Sequence, residues 1–243
     1  MKLSAPIHVL KGHAKQLKRQ KGIPLTTALD LIAQQEGYAT WSLLHAKFSN
    51  FVPQTNEEVV QSLCPGDLML IGARPGLGKT RMLLGLLLAA SKQKRRCFFF
   101  SLEFSETILL EVIDSLEPNF DGFKQYLRWD LSDEIFSQSI ISRADEFLQE
   151  GSLIAVDYLQ LLDQRRTTPP LQQQIEELKV YAHTKKCSII VSSQIDRGFD
   201  PRHGVSPTVK DVRLSNPLDL SLFNKSHFLS EKSRFWGAGS AVR

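Results

Sequence analysis

From residue 58 onward, apolar and polar positions fall into alternating blocks. Four short, nearly uninterrupted apolar runs stand at 68–71, 97–100, 153–156 and 188–191. Between them the stretches 107–116, 133–149 and 171–185 have helical character. Strands that are apolar throughout are buried on both faces, so the pattern predicts an α/β fold in which a mostly parallel sheet is flanked by helices. In such sheets ligands bind beyond the carboxyl ends of the strands, which directs attention to the residues just after each run. The first 48 residues follow another rule. Ile7, Leu10, Ala14 and Leu17 make a helical stripe over 6–21, which Gly22 and Pro24 break. Ala28, Leu29, Ile32 and Ala33 form the apolar face of a second helix, capped by Thr26 or Thr27 and closed near Gly37. Thr40 precedes a third short helix carrying Trp41, Leu43 and Leu44. The predicted organisation is a small helical module at 1–48, a linker at 49–57 and an α/β domain at 58–243.

The first run leads into Ala73-Arg74-Pro75-Gly76-Leu77-Gly78-Lys79-Thr80, and a strongly helix-forming segment follows. Strand, glycine-rich turn, Lys-Thr and helix is the context of a phosphate-binding loop. Backbone N–H groups of the turn and the helix N-terminus favour an anion. Lys79 would neutralise the β and γ phosphates of a nucleotide, and Thr80 would offer its hydroxyl to Mg²⁺. The usual first glycine is Ala73 here, which is tolerable where that position does not need a positive φ. The second run ends in Ser101-Leu102-Glu103, where a carboxylate could orient and partly deprotonate an attacking water, or simply open a helix. The third ends in Asp157, a candidate metal carboxylate. The fourth ends in Ser192-Ser193-Gln194, where a neutral amide could sense a γ-phosphate or serve as an ordinary strand-end hydrogen bonder.

Composition changes this picture in two places. The formal net charge of the whole chain is +4. Residues 1–50 alone hold seven basic side chains (Lys2, Lys11, Lys15, Lys18, Arg19, Lys21, Lys47) against Asp30 and Glu36. A basic module on a near-neutral body fits an anionic partner, and equally a solvated helix face. Cys64, Cys97 and Cys187 are odd in number, widely spaced and without metal-ligand pattern, as expected of reduced thiols in a cytoplasmic protein. No apolar run approaches the roughly 20 residues of a membrane span, and no signal-peptide core adjoins the first lysines. No membrane association is expected.

Taken in order, the four elements resemble a known family. Val156-Asp157-Tyr158-Leu159-Gln160-Leu161-Leu162, Ser101-Leu102-Glu103-Phe104-Ser105 and Ser193-Gln194-Ile195-Asp196-Arg197 are similar to motifs of the DnaB-type replicative helicases, a branch of the RecA-like ATPases. The segment Gln174-Ile175-Glu176-Glu177-Leu178-Lys179-Val180-Tyr181-Ala182-His183 resembles the helix that precedes the last of them. The resemblance is collinear over roughly residues 60–215. It implies a RecA-like P-loop NTPase core that uses ATP with Mg²⁺ and shares ATP sites between subunits of a homo-oligomer such as a hexameric ring. By matching motif, Lys79 and Thr80 take the phosphate-loop roles, Glu103 activates water, Asp157 serves the metal and Gln194 is the sensor. The family's arginine finger, with a lysine two residues before it, matches Lys232-Ser233-Arg234, which lies near the chain end and also reads as a basic tail. Arg197, Arg202 and Arg213 are alternative cations. The module at 1–48 does not resemble the family's large helical N-terminal domain.

The resemblance also implies single-stranded DNA as a partner. Two segments would face the pore of a ring: Gln164-Arg165-Arg166-Thr167 with the residues after it, and 195–208 with Arg197, Arg202 and His203. Arginines there would bind phosphates without regard to sequence. The basic N-terminal helices could hold duplex DNA or a protein. Two functions stay open: an Mg²⁺-dependent ATPase that translocates on or unwinds DNA, and a nucleotide-gated regulatory or adaptor ATPase with little helicase activity.

Overall fold

The computed structural model describes residues 3–5, 7–49, 53, 55–163, 168–196, 198–199 and 207–229. The chain divides into two compact units, Met1–Pro53 and Gln54–Arg243.

The first unit contains α1 (Ile7–Lys21), α2 (Leu25–Gln35) and α3 (Trp41–Ser49). Leu10 and Ala14 of α1 meet Ala28 and Ile32 of α2 in one apolar cluster. Lys11, Lys15, Lys18, Arg19 and Lys21 are exposed around the remainder of α1. Gly37 adopts φ 83°, and the Tyr38 N–H reaches back to the Ala33 carbonyl (2.9 Å), a left-handed close of the α2 end. The Asp30 carboxylate accepts the Trp41 N–H (2.8 Å), satisfying one of the orphan donors at the start of α3.

The second unit is a three-layer α/β domain. Its strands are β1 (Leu68–Ala73), β2 (Cys97–Ser101), β3 (Leu127–Asp130), β4 (Leu153–Asp157), β5 (Ser188–Gln194) and β6 (Lys225–Phe228). They form one sheet in the order β3-β2-β4-β5-β1-β6, with every pairing parallel. Its helices are α4 (Asn56–Ser62), α5 (Lys79–Lys92), α6 (Glu106–Leu116), α7 (Ser137–Asp145) and α8 (Leu171–Lys185). Successive strand residues face opposite layers. Met69 and Ile71 pack with the leucines of α5. Leu68 and Leu70 pack with Ile175 and Leu178 of α8 and Ile140 of α7. The four apolar runs are thus the four inner strands, covered on both faces. Among the described residues, no helix is long and apolar enough to cross a membrane.

Three features differ from the sequence expectation. The edge strands β3 and β6 carry mixed sequences, Leu-Arg-Trp-Asp and Lys-Ser-His-Phe, because an edge need not be apolar throughout. The helix expected at 133–149 is confined to Ser137–Asp145. At its start the Ser139 hydroxyl accepts the Phe136 N–H (3.0 Å) and donates to the Glu134 carbonyl (2.5 Å), and after its end Gly151 turns the chain at φ 83°. Finally, α4 begins inside the stretch read as linker. Thr55 caps it by accepting the Glu58 N–H (3.2 Å), a Thr-x-x-Glu start visible in the sequence.

One close approach sets up a stability test. A Cβ added at Gly72 would lie 2.4 Å from Cδ1 and Cε1 of Phe228 and 3.0 Å from Cδ1 of Ile195. Phe228 is only 1% exposed, so its ring has no room to retreat. Gly72→Ala should cost about 1–3 kcal/mol of overpacking strain, read as a lowered urea midpoint with unchanged slope. An unchanged midpoint would mean that β6 does not pack on β1 this way.

Candidate active site

The phosphate-loop candidate joins the end of β1 to the start of α5. Ala73 is the last residue of β1, fully buried and without a positive φ, so a β-carbon is harmless there. The left-handed residues are Gly76 (φ 78°) and Gly78 (φ 84°), and a Cβ built on either meets nothing within 4 Å. The loop therefore holds two unobstructed left-handed positions, which only glycine occupies without strain. The first backbone bond of α5 runs from the Met82 N–H to the Gly78 carbonyl (3.0 Å), leaving the amides of 79–81 without a helical partner. Free amides at a helix start beside an open concave loop suit an anion.

Asp157 ends β4, and its carboxylate is completely buried. One oxygen accepts the Thr80 hydroxyl (2.6 Å) and the other accepts the Ser192 hydroxyl (2.5 Å). Three elements, α5, β4 and β5, thus meet on one carboxylate. Burial pushes the Asp157 carboxyl up, against the lowering pull of both hydroxyls and of Lys79. Burial pushes the Lys79 ammonium down, opposed by Asp157 and then Glu103. Burial pushes the Glu103 carboxyl up, the Asp157 charge adds to it and Lys79 opposes it. These three groups share one partly dry site and feel one another's charge. Glu103 follows β2, where the Ser101 hydroxyl accepts its N–H (3.1 Å). Gln194 ends β5 in register with Ala73. The Asp157–Tyr158 peptide is cis.

The structure brings together four residues singled out in the sequence, Lys79, Thr80, Glu103 and Asp157, and sets Gln194 level with the start of the phosphate loop. Arg165, Arg166, Arg197, Arg202 and Arg234 lie outside the described residues. Sequence reasoning missed Ser192 as the second holder of Asp157. The signal was a serine pair interrupting an otherwise apolar strand, one position beyond the Val156–Val191 pairing. The donor set suits a nucleotide with Mg²⁺: hard oxygens on Thr80 and Asp157, an ammonium, and a loop whose two left-handed positions are held by glycine.

A model of the DnaB-like helicase C terminal domain matches residues 54–121 and 124–220. The chain belongs to this family. Among curated relatives, the DnaB replicative DNA helicase of Helicobacter pylori strain 26695 is 25% identical over 225 residues, covering 80% of this chain and 46% of the relative. That of Buchnera aphidicola subsp. Baizongia pistaciae is 29% identical over 189 residues, covering 65% and 41%. The chain therefore spans less than half the length of these relatives. Among solved structures, an isolated ATPase domain superposes with a TM-score of 0.58 at 18% identity, covering 79% of this chain and 81% of that one. A DnaB-like replicative helicase, described with its interactions with primase, gives 0.57 at 15% identity, covering 89% and 64%. At these identities the likeness establishes the fold, a RecA-like core. Within the DnaB-like family frame, the buried Asp157 and the phosphate loop lie at the carboxyl ends of inner strands, where a parallel sheet places its ligand.

Proposed function

We propose that this DnaB-like chain is an Mg²⁺-dependent ATPase that acts on single-stranded DNA as a translocase or helicase. One observation carries the reading: Thr80 and Ser192 converge on the buried Asp157 carboxylate beside Lys79 and Glu103. Bound Mg²⁺ would neutralise phosphate charge. Thr80 and Asp157 would hold it, the loop amides and Lys79 would grip the phosphates, and Glu103 would orient the attacking water. Gln194 would sense the γ-phosphate from the β5 end. The site would be completed across a subunit boundary in a ring of identical chains, for which Arg234 is the candidate finger. Arg165, Arg166, Arg197 and Arg202 would contact DNA phosphates. A helical module at 1–48 followed by an ATPase domain belongs to the same reading, with the domain taken to start at α4 rather than at residue 58 and the exposed basic face of α1 offered to DNA or to a protein.

The test is the steady-state rate of ATP hydrolysis with and without a single-stranded oligonucleotide at several salt concentrations. The DNA affinity read from half-maximal stimulation should fall with salt, with a log–log slope of roughly −0.7 per phosphate neutralised. A slow rate indifferent to DNA at every salt concentration would instead support the nucleotide-gated adaptor.

A further inference from the structure

Three residues past the buried Asp157, Gln160 lies in the short turn Leu159–Asp163, and its side chain reaches across to β5. Its Nε2 donates to the Ser193 hydroxyl (3.1 Å) and to the Arg213 carbonyl (2.6 Å). The Ser193 hydroxyl donates in turn to the Gln194 carbonyl (3.3 Å). The Arg213 N–H donates to that same carbonyl (2.8 Å). The four bonds close a ring through the Gln160 amide, the Ser193 hydroxyl, the Gln194 carbonyl and residue 213. Chemistry sets its direction. A backbone carbonyl only accepts, so Nε2 and not Oε1 must face Arg213. Ser193, having spent its proton on Gln194, meets Gln160 with a lone pair. Among the described residues, Oε1 of Gln160 is buried and accepts no hydrogen bond.

The ring joins two parts of the domain. On one side Ser193 and Gln194 continue β5 directly from Ser192, which holds Asp157, and Gln194 is in register with Ala73 of the phosphate loop. On the other side Arg213 follows the turn Val209–Asp211. That segment is tied again to the residues just past β5 by the Asp196 N–H on the Asp211 carbonyl (2.8 Å) and the Ile195–Val212 bridge. The Arg213 side chain is exposed. Its charge reaches the Tyr158 phenol, which burial pushes up and to which Glu103 and Asp157 add, while Arg213 opposes them.

We propose that Gln160 is a positioning residue that carries the nucleotide state of the candidate site to the 209–213 segment. When the Gln194 side chain turns to a γ-phosphate, its own carbonyl cannot shift without moving both Arg213 and Gln160, because one closed set of mutually polarising hydrogen bonds holds all three. The inference rests on the nucleotide reading given above. A different role for Gln160 would be that of a plain strut pinning 209–213 to β5 whether nucleotide is bound or not.

The test is hydrogen exchange on the full chain, with and without Mg²⁺ and the slowly hydrolysed analogue ATPγS. The affinity of a fluorescent ATP analogue is measured alongside. In the unaltered protein, nucleotide should slow exchange in peptides spanning 209–213 about tenfold, the scale of one secured hydrogen bond. Gln160→Glu keeps the size of the side chain but replaces the donor with a second acceptor facing the Arg213 carbonyl. It should bind the fluorescent analogue within about twofold of normal yet show less than about twofold slowing. Ser193→Ala opens the ring from its other side, removing the bond accepted from Gln160 and the bond donated to Gln194, and should behave in the same way. If Gln160→Glu speeds exchange equally with and without nucleotide, preserving the ratio, Gln160 is only a strut and the inference falls. If it abolishes analogue binding while the fold survives, Gln160 belongs to the binding site and the inference also falls. Failure of the unaltered protein to bind the analogue would sink the nucleotide reading first, and the inference with it.

Discussion

Lys79→Ala should lower ATP turnover by about 10²–10³-fold, the scale seen when one preorganised charge-stabilising group is removed. Lys79 opens α5 at the mouth of the phosphate loop, where burial already pushes its ammonium down and Asp157 and Glu103 hold it up. Removing it leaves those two carboxylates beside an incoming polyphosphate without the ammonium that opposes them. The defect should therefore appear in nucleotide affinity as well as in the chemical step. Lys79→Arg should rescue poorly, because a compact ammonium on a flexible stem is replaced by a broad planar fork. Single-turnover hydrolysis combined with binding of a fluorescent ATP analogue separates the two effects. Turnover at the normal rate in Lys79→Ala would end the proposal that this loop works on phosphates.

The inner frame of the domain was legible in the sequence because its physics is local. Four strands buried on both faces must be apolar over most of their length, and the phosphate loop needs glycine where Gly76 and Gly78 adopt left-handed φ. Strands β3 and β6 escaped because an edge strand carries no such demand, and Arg128 or Lys225 can sit there without penalty. Lys225 is even required, since its ammonium meets the buried Asp67 carboxylate (2.5 Å) and the Ser62 carbonyl (2.6 Å). Of the candidate site, the residues at strand ends could be named from the sheet rule alone. Their mutual arrangement could not. That Ser192 shares Asp157 with Thr80 depends on β4 and β5 being neighbours in register, a contact 35 residues apart in the chain. The ring through Gln160, Ser193, Gln194 and Arg213 spans 53 residues and belongs to no motif of fixed spacing. Gly72 likewise reads as an ordinary strand glycine until Phe228 is seen against it.

Glu103→Gln should produce the second large effect and separate chemistry from binding. The amide keeps the shape of the side chain but cannot take a proton, so turnover should fall about 10²–10⁴-fold, the usual worth of a positioned general base. Nucleotide affinity should hold or rise, because a negative charge beside the phosphates is gone. The pH dependence supplies an independent check with a fixed sign. Burial and the Asp157 charge raise the Glu103 carboxyl above the ordinary 4.5, against Lys79. The base works only when deprotonated, so kcat/KM of the unaltered protein should fall as pH drops through that raised value. Its acid limb should then lie on the high-pH side of an ordinary glutamate. In Lys79→Ala the opposing cation is lost, and the acid limb of whatever activity remains should move to still higher pH. In Glu103→Gln the limb should vanish from the residual rate. A residual rate that kept the same limb would assign it to another group and remove Glu103 from the chemistry. A limb that moved downward in Lys79→Ala would show that the two side chains do not share the site as described.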